Sequence, residues 1–243
     1  MHAPNALKEV LTTEHVRLID EDIYSVLPDD LSKHHYDRRA TIYDLIVSTR
    51  LYNSIMWGST PRDYRDFGSR AVSACPDGIM LDAGCGSLLF TASTYLQTKR
   101  QIVAFDQSVA MLRRARKRLL KVAGTMPSHI TLLQADLSDL PFRPGSFNTV
   151  LCLNVLHQFQ DAAVLVSNFK DLLTEHGCLF LTSLVSNNRL IGDAYLRALY
   201  ATKEFVRPRS RSELEKMMND AGLHELDVRV RGNMAFLATA NTD

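Results

Sequence analysis

Residues 81–86 read Leu-Asp-Ala-Gly-Cys-Gly, and this stretch decides the fold. The apolar residues before it predict a buried strand over 79–82 that stops at the glycine turn. Residues 88–96 then have the composition of a helix. A strand that passes through a glycine turn into a helix is the first half of a β-α-β unit. The two glycines permit a tight turn and a close approach of the backbone to a ligand.

Further apolar runs follow at intervals of about one β-α unit, which indicates a parallel sheet. They predict strands over 102–105, 130–133, 147–153 and 178–184. The first three of these runs end at Asp106, Asp136 and Asn154, and Ser108 is placed to cap the next helix. Because ligands bind beyond the carboxyl ends of such strands, we expect these side chains to surround one site with the glycine turn.

The C-terminal region has the pattern of a helix and a hairpin. Ser212 and Glu215 fit a capping box, and Gly222 is placed to end the helix that they begin. Apolar runs over 226–230 and 234–240 flank Gly-Asn at 232–233, a tight-turn signal. The sequence therefore predicts an α/β fold whose seven-stranded, mostly parallel sheet finishes in an antiparallel hairpin.

The overall composition excludes several classes of protein. The 243 residues include 28 Lys plus Arg and 27 Asp plus Glu, a net charge of +1, which argues against a nucleic-acid-binding protein. No apolar run is long enough to span a bilayer, and the first 30 residues lack a signal-peptide core, so we expect a cytoplasmic protein without stable membrane insertion. The four cysteines show no metal-ligand spacing, so neither a disulfide framework nor a metal site is expected.

The acidic strand ends predict a cofactor that contains adenosine. Asp106 can accept hydrogen bonds from both ribose hydroxyls, and Asp136 can accept one from an adenine amino group. A nicotinamide dinucleotide and S-adenosylmethionine both fit this description. The dinucleotide fingerprint needs a third glycine or alanine where this sequence has Leu89, and it calls for neither the second acid nor the hairpin. S-adenosylmethionine is therefore favoured.

Four short motifs resemble class I S-adenosylmethionine-dependent methyltransferases, and most closely their ubiquinone/menaquinone-biosynthesis C-methyltransferase branch. The motifs are Leu81-Asp82-Ala83-Gly84-Cys85-Gly86, Phe105-Asp106-Gln107-Ser108, Gln134-Ala135-Asp136-Leu137 and Asn154-Val155-Leu156-His157. The resemblance implies the three-layer Rossmann-like fold of that class. This sequence departs from the usual pattern at Leu88, where the family's loop has a third glycine, and at Gln158, where it often has a second histidine.

The resemblance also implies a single domain over 1–243 with four parts. These are an N-terminal helical lid region (1–75), a cofactor-binding core (76–185), a substrate-covering insertion (186–207) and a C-terminal helix and hairpin (208–243). The aromatic residues of the first part either close over the cofactor or pack its helices onto the sheet.

The implied cofactor-binding residues are Tyr36, Tyr43, Asp82, Gly84, Cys85, Gly86, Asp106, Gln107, Met111, Asp136, Leu137 and Asn154. His157 is the catalytic candidate, as a general base whose ordinary pKa lies near neutral pH. A structural role for this histidine is favoured, because it recurs in methyltransferases of differing chemistry.

The predicted function is methyl transfer from S-adenosylmethionine, with S-adenosylhomocysteine as product, to a small apolar or aromatic acceptor such as a quinone-like compound or natural product. One alternative is a protein of this fold that binds the cofactor without transferring a methyl group or has been repurposed. A nucleic-acid or protein methyltransferase is less favoured because the charge is balanced. The sequence leaves homodimerisation open.

Overall fold

A nine-stranded mixed sheet runs through the protein in the order β1-β2-β5-β4-β3-β6-β7-β9-β8. The computed structural model describes residues 4–28, 52–202 and 205–239. The strands are β1 (Arg17–Asp20), β2 (Ile23–Ser25), β3 (Met80–Ala83), β4 (Ile102–Asp106), β5 (Ile130–Gln134), β6 (Phe147–Cys152), β7 (Leu173–Leu184), β8 (Asp227–Arg231) and β9 (Met234–Ala238). The pairs from β2 to β7 are parallel, and β1, β8 and β9 run antiparallel to their neighbours.

Helices cover both faces of the sheet. They are α1 (Asn5–Val10), α2 (Pro61–Ala74), α3 (Ala92–Tyr95), α4 (Val109–Ala123), α5 (Ala162–Leu172), α6 (Leu190–Ala201) and α7 (Arg211–Asp220), with a π-helical turn at Asn53–Trp57 and a 3₁₀ turn at Leu156–Gln158. One apolar core joins α1, α5 and α7 to the sheet, and a second joins α2, α3 and α4 to its other face. The central strands are buried on both sides, which explains their continuous apolar runs.

The predicted α/β architecture and C-terminal hairpin are confirmed, but the predicted number of seven strands is wrong. The two additional strands, β1 and β2, lie in the region expected to be helical, and β2 pairs in parallel with β5. Ile23 is fully buried at that edge, and Asp22 turns the chain with φ of 59°. Strands of four and three residues are too short to show an alternating pattern, and the partner of β2 lies more than 100 residues away.

The capping box of α7 lies two residues before the predicted one. Ser210 accepts from the Glu213 N–H at 3.2 Å, and the Glu213 carboxylate accepts from the Ser210 N–H at 2.7 Å. The predicted pair, Ser212 and Glu215, has the same spacing inside the helix, so spacing alone does not distinguish the two. The helix predicted over 88–96 is also shorter than expected, since α3 spans Ala92–Tyr95.

Cys75 and Cys178 form a disulfide, which contradicts the sequence-based expectation. Cys75 directly follows α2, Cys178 lies in β7, and 103 residues separate them. Packing of α2 against β7 brings their Cα atoms to 6.6 Å. Spacing rules miss such a pair because tertiary packing alone makes it adjacent. The other two cysteines, Cys85 and Cys152, are free.

Helix α6 occupies most of the predicted insertion and packs against the π-helical turn. Tyr52 and Tyr195 join the two segments through their hydroxyl groups, 3.2 Å apart, and the Trp57 ring lies 5.3 Å from the Tyr195 ring. Tyr36 and Tyr43 fall outside the described residues. Within the described ranges, no helix combines the length and apolar character that crossing a membrane requires.

Candidate functional site

A recess of about 220 Å³ opens at the carboxyl ends of β3, β4, β5 and β6, and we call it the strand-end recess. Its lining includes ten predicted residues, namely Asp82, Gly84, Cys85, Gly86, Asp106, Gln107, Met111, Asp136, Leu137 and Asn154. The remaining lining residues are Ser87, Leu89, Phe90, Thr91, Ser108, Leu153, Val155, Gln158 and Phe159. Parallel topology therefore brings together side chains from four separate β-α units.

The loop after β3 has a left-handed backbone at every second residue. Gly84 has φ of 69° and Gly86 has φ of 55°. A Cβ atom at Gly84 would also meet the Val155 side chain at 2.8 Å, so this position needs glycine on two grounds. The Cys85 N–H donates to the Phe105 carbonyl at 2.9 Å, which ties the loop to β4.

Leu88 keeps the left-handed conformation of the glycine that it replaces, with φ of 54°. Its side chain is 1% exposed and belongs to the core beneath α2, α3 and α4, and it does not line the strand-end recess. The left-handed region costs a non-glycine residue about 1–2 kcal/mol, whereas burial of a leucine contributes more than that. Burial of the Leu88 side chain thus offsets the backbone strain and anchors the loop to the core.

Asp106 fastens the loop and the next helix with its two carboxylate oxygens. Oδ2 accepts from the Gly86 N–H and Oδ1 accepts from the Ser108 N–H, both at 2.9 Å. Burial raises the pKa of the Asp106 carboxyl, and the two N–H donors act in the opposite direction. A carboxylate has roughly four acceptor positions, so each oxygen can accept one further hydrogen bond, as a pair of ribose hydroxyls would require.

Asp136 makes an Asx turn just after β5. Its Oδ1 accepts from the Ser138 N–H at 2.8 Å, and its Oδ2 accepts from the Gln107 side-chain amide at 2.8 Å. The half-buried carboxylate also lines the strand-end recess, next to Leu137. The turn and the recess therefore use the same side chain, and the turn fixes its orientation.

Asp82 has a buried oxygen that no described residue contacts by a hydrogen bond. The side chain is 1% exposed, and its Oδ2 accepts from the Tyr95 hydroxyl at 2.7 Å. Oδ1 lacks a hydrogen bond within the described part of the chain. Burial and the nearby Asp106 raise the pKa of Asp82 to about 7, against the opposing effect of the Tyr95 hydroxyl. A buried acceptor without a partner is costly, so this oxygen fits a cationic hydrogen-bond donor.

Asn154 sits at the end of β6 in a left-handed conformation, with φ of 58°. Thr182 of β7 holds it, since its hydroxyl accepts from the Asn154 N–H at 2.8 Å and donates to the side-chain Oδ1 at 3.1 Å. The Gln158 side-chain amide donates to the Asn154 carbonyl at 3.3 Å. This end of the strand-end recess combines carboxamides with apolar side chains, which include Phe90 and Phe159.

Arg209 fixes the segment that carries Gln158 and Phe159, and sequence reasoning missed it. Its guanidinium donates to the carbonyls of Phe159 at 2.8 Å, Gln160 at 3.0 Å and Leu156 at 3.4 Å. The arginine lies about 50 residues further along the chain, just before α7. No local motif indicates this contact, because the bonds go to backbone carbonyls that every sequence has.

Gln158 and Phe159 form one wall of the strand-end recess. His157 is next to them in the sequence but is absent from the lining of the recess. Its side chain is 6% exposed, with Nδ1 unpartnered among the described residues, and its ring lies 4.4 Å from the Phe205 ring at a steep angle. Burial, followed by the charge on Arg209, lowers the pKa of His157 to about 3. The imidazole is therefore neutral throughout the physiological pH range.

The parallel sheet, the glycine loop and the acidic strand ends define a class I Rossmann-like methyltransferase fold. Residues 81–181 match the family described as "Methyltransferase domain". Relatives include a malonyl-[acyl-carrier protein] O-methyltransferase of Legionella pneumophila, 32% identical over 43% of this chain and 36% of the relative. A ubiquinone biosynthesis O-methyltransferase of Xanthomonas euvesicatoria is 29% identical over 61% of this chain and 64% of the relative.

The chain thus spans between about a third and two thirds of these relatives. Among solved structures, an O-methyltransferase family 2 protein of Planctomyces limnophilus in complex with apigenin matches with a TM-score of 0.63, at 21% identity over 86% of this chain and 62% of that chain. A geranyl diphosphate C-methyltransferase of Streptomyces coelicolor A3(2), in complex with S-adenosyl-L-homocysteine, gives 0.57 at 14% identity over 73% and 74%. These structures support the fold.

The methyltransferase domain implies S-adenosylmethionine as its cofactor. The residues present fit that molecule. Oδ1 of Asp82 lacks a partner among the described residues, which suits an ammonium group, and the partly buried Asp106 carboxylate has further acceptor positions that suit a ribose. The carboxylates stand at the ends of adjacent strands, as a ligand that lies across the sheet requires.

Proposed function

We propose that this protein transfers a methyl group from S-adenosylmethionine to a small, uncharged, apolar or aromatic acceptor. One observation carries the proposal. A single recess holds three acidic side chains that suit the cofactor, and it continues into an apolar end that suits a flat acceptor. The matching family and the methyltransferase relatives support the reaction class.

In this proposal, each of the three carboxylates binds a different part of the cofactor. Asp106 holds the ribose hydroxyls, Asp136 accepts from the adenine amino group, and Asp82 accepts from the ammonium group. The left-handed loop at Gly84 and Gly86 lets the backbone approach the ligand between them. The bound cofactor supplies an electrophilic methyl group on a sulfonium that is already a good leaving group.

The acceptor end explains the expected substrate class. Among the described residues that line the strand-end recess, only Asp82, Asp106 and Asp136 are acidic or basic, and the proposal assigns all three to the cofactor. Phe90 and Phe159 offer apolar surface to a ring, while Asn154 and Gln158 offer hydrogen bonds that orient a hydroxyl or carbonyl group. A quinol or phenol has this combination of groups, and the names of the ubiquinone-biosynthesis relatives point the same way.

The chain's chemical contribution is alignment. Asn154 is held rigidly by Thr182, and Arg209 fixes the Gln158–Phe159 wall, so an acceptor placed between them meets the methyl group in a defined direction. Such positioning lowers a barrier by several kcal/mol, and the apolar walls exclude water. We assign His157 a structural role, because its buried neutral imidazole stands behind the wall.

The test is a transfer assay with S-adenosylmethionine labelled on its methyl group. The acceptors would be 1-naphthol, a substituted hydroquinone, benzoic acid and a short acidic peptide. We expect label in the two phenols and none in the charged compounds. The matched variant Gln158→Ala should reduce transfer while leaving S-adenosylhomocysteine binding within about threefold, because Gln158 lies at the acceptor end.

Cofactor binding without transfer to any acceptor would contradict the proposal. It would favour the alternative in which the fold binds the cofactor for another purpose. Cytoplasmic location and homodimerisation remain predictions. Cell fractionation tests the first, and light scattering at two protein concentrations tests the second.

A further inference from the structure

Tyr95 is a buried hydrogen-bond partner of the Asp82 carboxyl group. It lies in α3 at 0% exposure, and its hydroxyl donates to Asp82 Oδ2 at 2.7 Å. The end of α3 is held in turn, because the Tyr95 carbonyl lies 2.9 Å from Nε2 of His129. One Asp82 oxygen is thus occupied, and the other is left without a partner in the described part of the chain.

We propose that Tyr95 is a positioning residue that reserves Asp82 Oδ1 for the cofactor's ammonium group, and that Asp82 gives up a proton when that group binds. The inference rests on the proposed function and deepens it, since it assigns a residue outside the strand-end recess to the recognition of the amino-acid part of the cofactor.

The surroundings of Asp82 explain why its carboxyl group holds a proton before the cofactor binds. Among the described residues, the titratable groups that face it are Tyr95 from α3, Cys85 from the loop, Asp106 from β4 and Cys152 from β6. None of these groups is cationic. Burial raises the pKa of both thiols and of the Tyr95 hydroxyl well above their ordinary values, so Tyr95 stays a donor.

With a pKa of about 7, a buried carboxyl group among such neighbours keeps its proton in part of the molecules near neutral pH until a cation arrives. On binding, the carboxyl O–H bond breaks, its proton goes to solvent, and the carboxylate pairs with the ammonium group. Binding strengthens as pH rises through the pKa of Asp82, about 7, because less work is then needed to remove the proton.

The test compares two ligands by calorimetry. S-adenosylhomocysteine carries the ammonium group, and 5′-methylthioadenosine lacks the whole amino-acid part. We expect the first to bind wild-type protein about eightfold more tightly at pH 7.5 than at pH 6.0, with release of a fraction of a proton, and the second to show no such dependence. Asp82→Asn should abolish the dependence.

Tyr95→Phe removes one hydroxyl and keeps the ring. We expect it to weaken S-adenosylhomocysteine about threefold at pH 7.5 and more at pH 6.0, so that the pH dependence extends to higher pH, while methylthioadenosine binding stays within twofold. Tyr64→Phe is the matched control. Tyr64 is 1% exposed and stacks on Phe90, and its hydroxyl contacts Ser59 and Asn154 but not Asp82, so the pH profile should not move.

Three results would overturn the inference. An unchanged pH profile in folded Tyr95→Phe would show that the tyrosine only packs, and equal weakening of both ligands would show a general disturbance of the pocket. If Tyr95→Phe does not fold, a wild-type profile that is the same for both ligands still overturns it. In each case cofactor binding, and with it the proposed function, survives. Wild-type protein that binds neither ligand contradicts the proposed function itself.

Discussion

The two ends of the strand-end recess are built differently. At the end proposed to bind the cofactor, Asp106 and Asp136 accept hydrogen bonds from backbone N–H groups within two residues of their own positions or from the adjacent loop. At the acceptor end, Asn154 is held by Thr182 from the next strand, and the wall beyond it is held by Arg209, about 50 residues away. Backbone N–H donors of the strand-end loops shape the first end, and side chains from outside those loops shape the second.

This difference has a functional consequence. A site held by its own turns stays fixed when distant segments change, so the cofactor end suits a ligand that never varies. A wall held by a remote side chain can be reshaped by substitutions far from the strand ends. This suits an acceptor that differs between relatives. We therefore expect perturbations of the two ends to act separately.

The largest effect is expected at Leu88, the anchor beneath the cofactor loop. Leu88→Ala should destabilise the protein by about 2–5 kcal/mol, as other buried leucines do. Leu88→Gly should cost no more than Leu88→Ala, because glycine relieves the left-handed backbone. Denaturant unfolding measures both.

Leu112, fully buried in α4, is the control for Leu88. There the glycine variant should be about 1 kcal/mol less stable than the alanine variant. The same ranking at Leu88 would show that its backbone strain is absent.

The next effect concerns the acceptor wall. Arg209→Met should reduce the free energy of unfolding by about 1–3 kcal/mol, because three carbonyls lose a charged donor. Arg207→Met, which removes an exposed ion pair to Glu213, should change little. Binding of S-adenosylhomocysteine to Arg209→Met should stay within threefold of wild type. A loss of tenfold or more would mean that the two ends are coupled.

A smaller effect is expected from the buried His157. Its folded-state pKa of about 3 lies below the 6.5 of an unfolded chain, so the unfolded chain binds more protons below pH 6.5. The stability due to the neutral imidazole is complete above pH 6.5 and is lost as the pH falls towards 3. Between pH 7 and 5, wild type should lose about 1–2 kcal/mol more than His157→Gln. Parallel stability curves for the two proteins would contradict the buried neutral state.

The sequence predicts the residues that line the proposed cofactor end but not the side chains that hold the proposed acceptor end, for the same structural reason. Gly84, Asp106 and Asp136 stand at strand ends, and the apolar runs that locate the strands also locate these residues. Thr182 and Arg209 act through tertiary contacts, so no spacing reveals them. Tyr95 was overlooked because it lies outside the motifs that define the loop.

The fold shows the same division. Long apolar runs identified the five central strands and the C-terminal hairpin, since those residues are buried. The β1–β2 pair and the Cys75–Cys178 disulfide depend on partners more than 100 residues away, and pattern reasoning failed for both.

The most direct test of the central claim is calorimetry of wild-type protein and Asp106→Asn with S-adenosylhomocysteine at pH 7.5. The account predicts that wild type binds this ligand and does not bind NADH. It also predicts that the variant loses about 1.5–3 kcal/mol of binding free energy, the contribution of hydrogen bonds to a charged group. Unchanged affinity in a folded variant, or binding of NADH in place of S-adenosylhomocysteine, would contradict it.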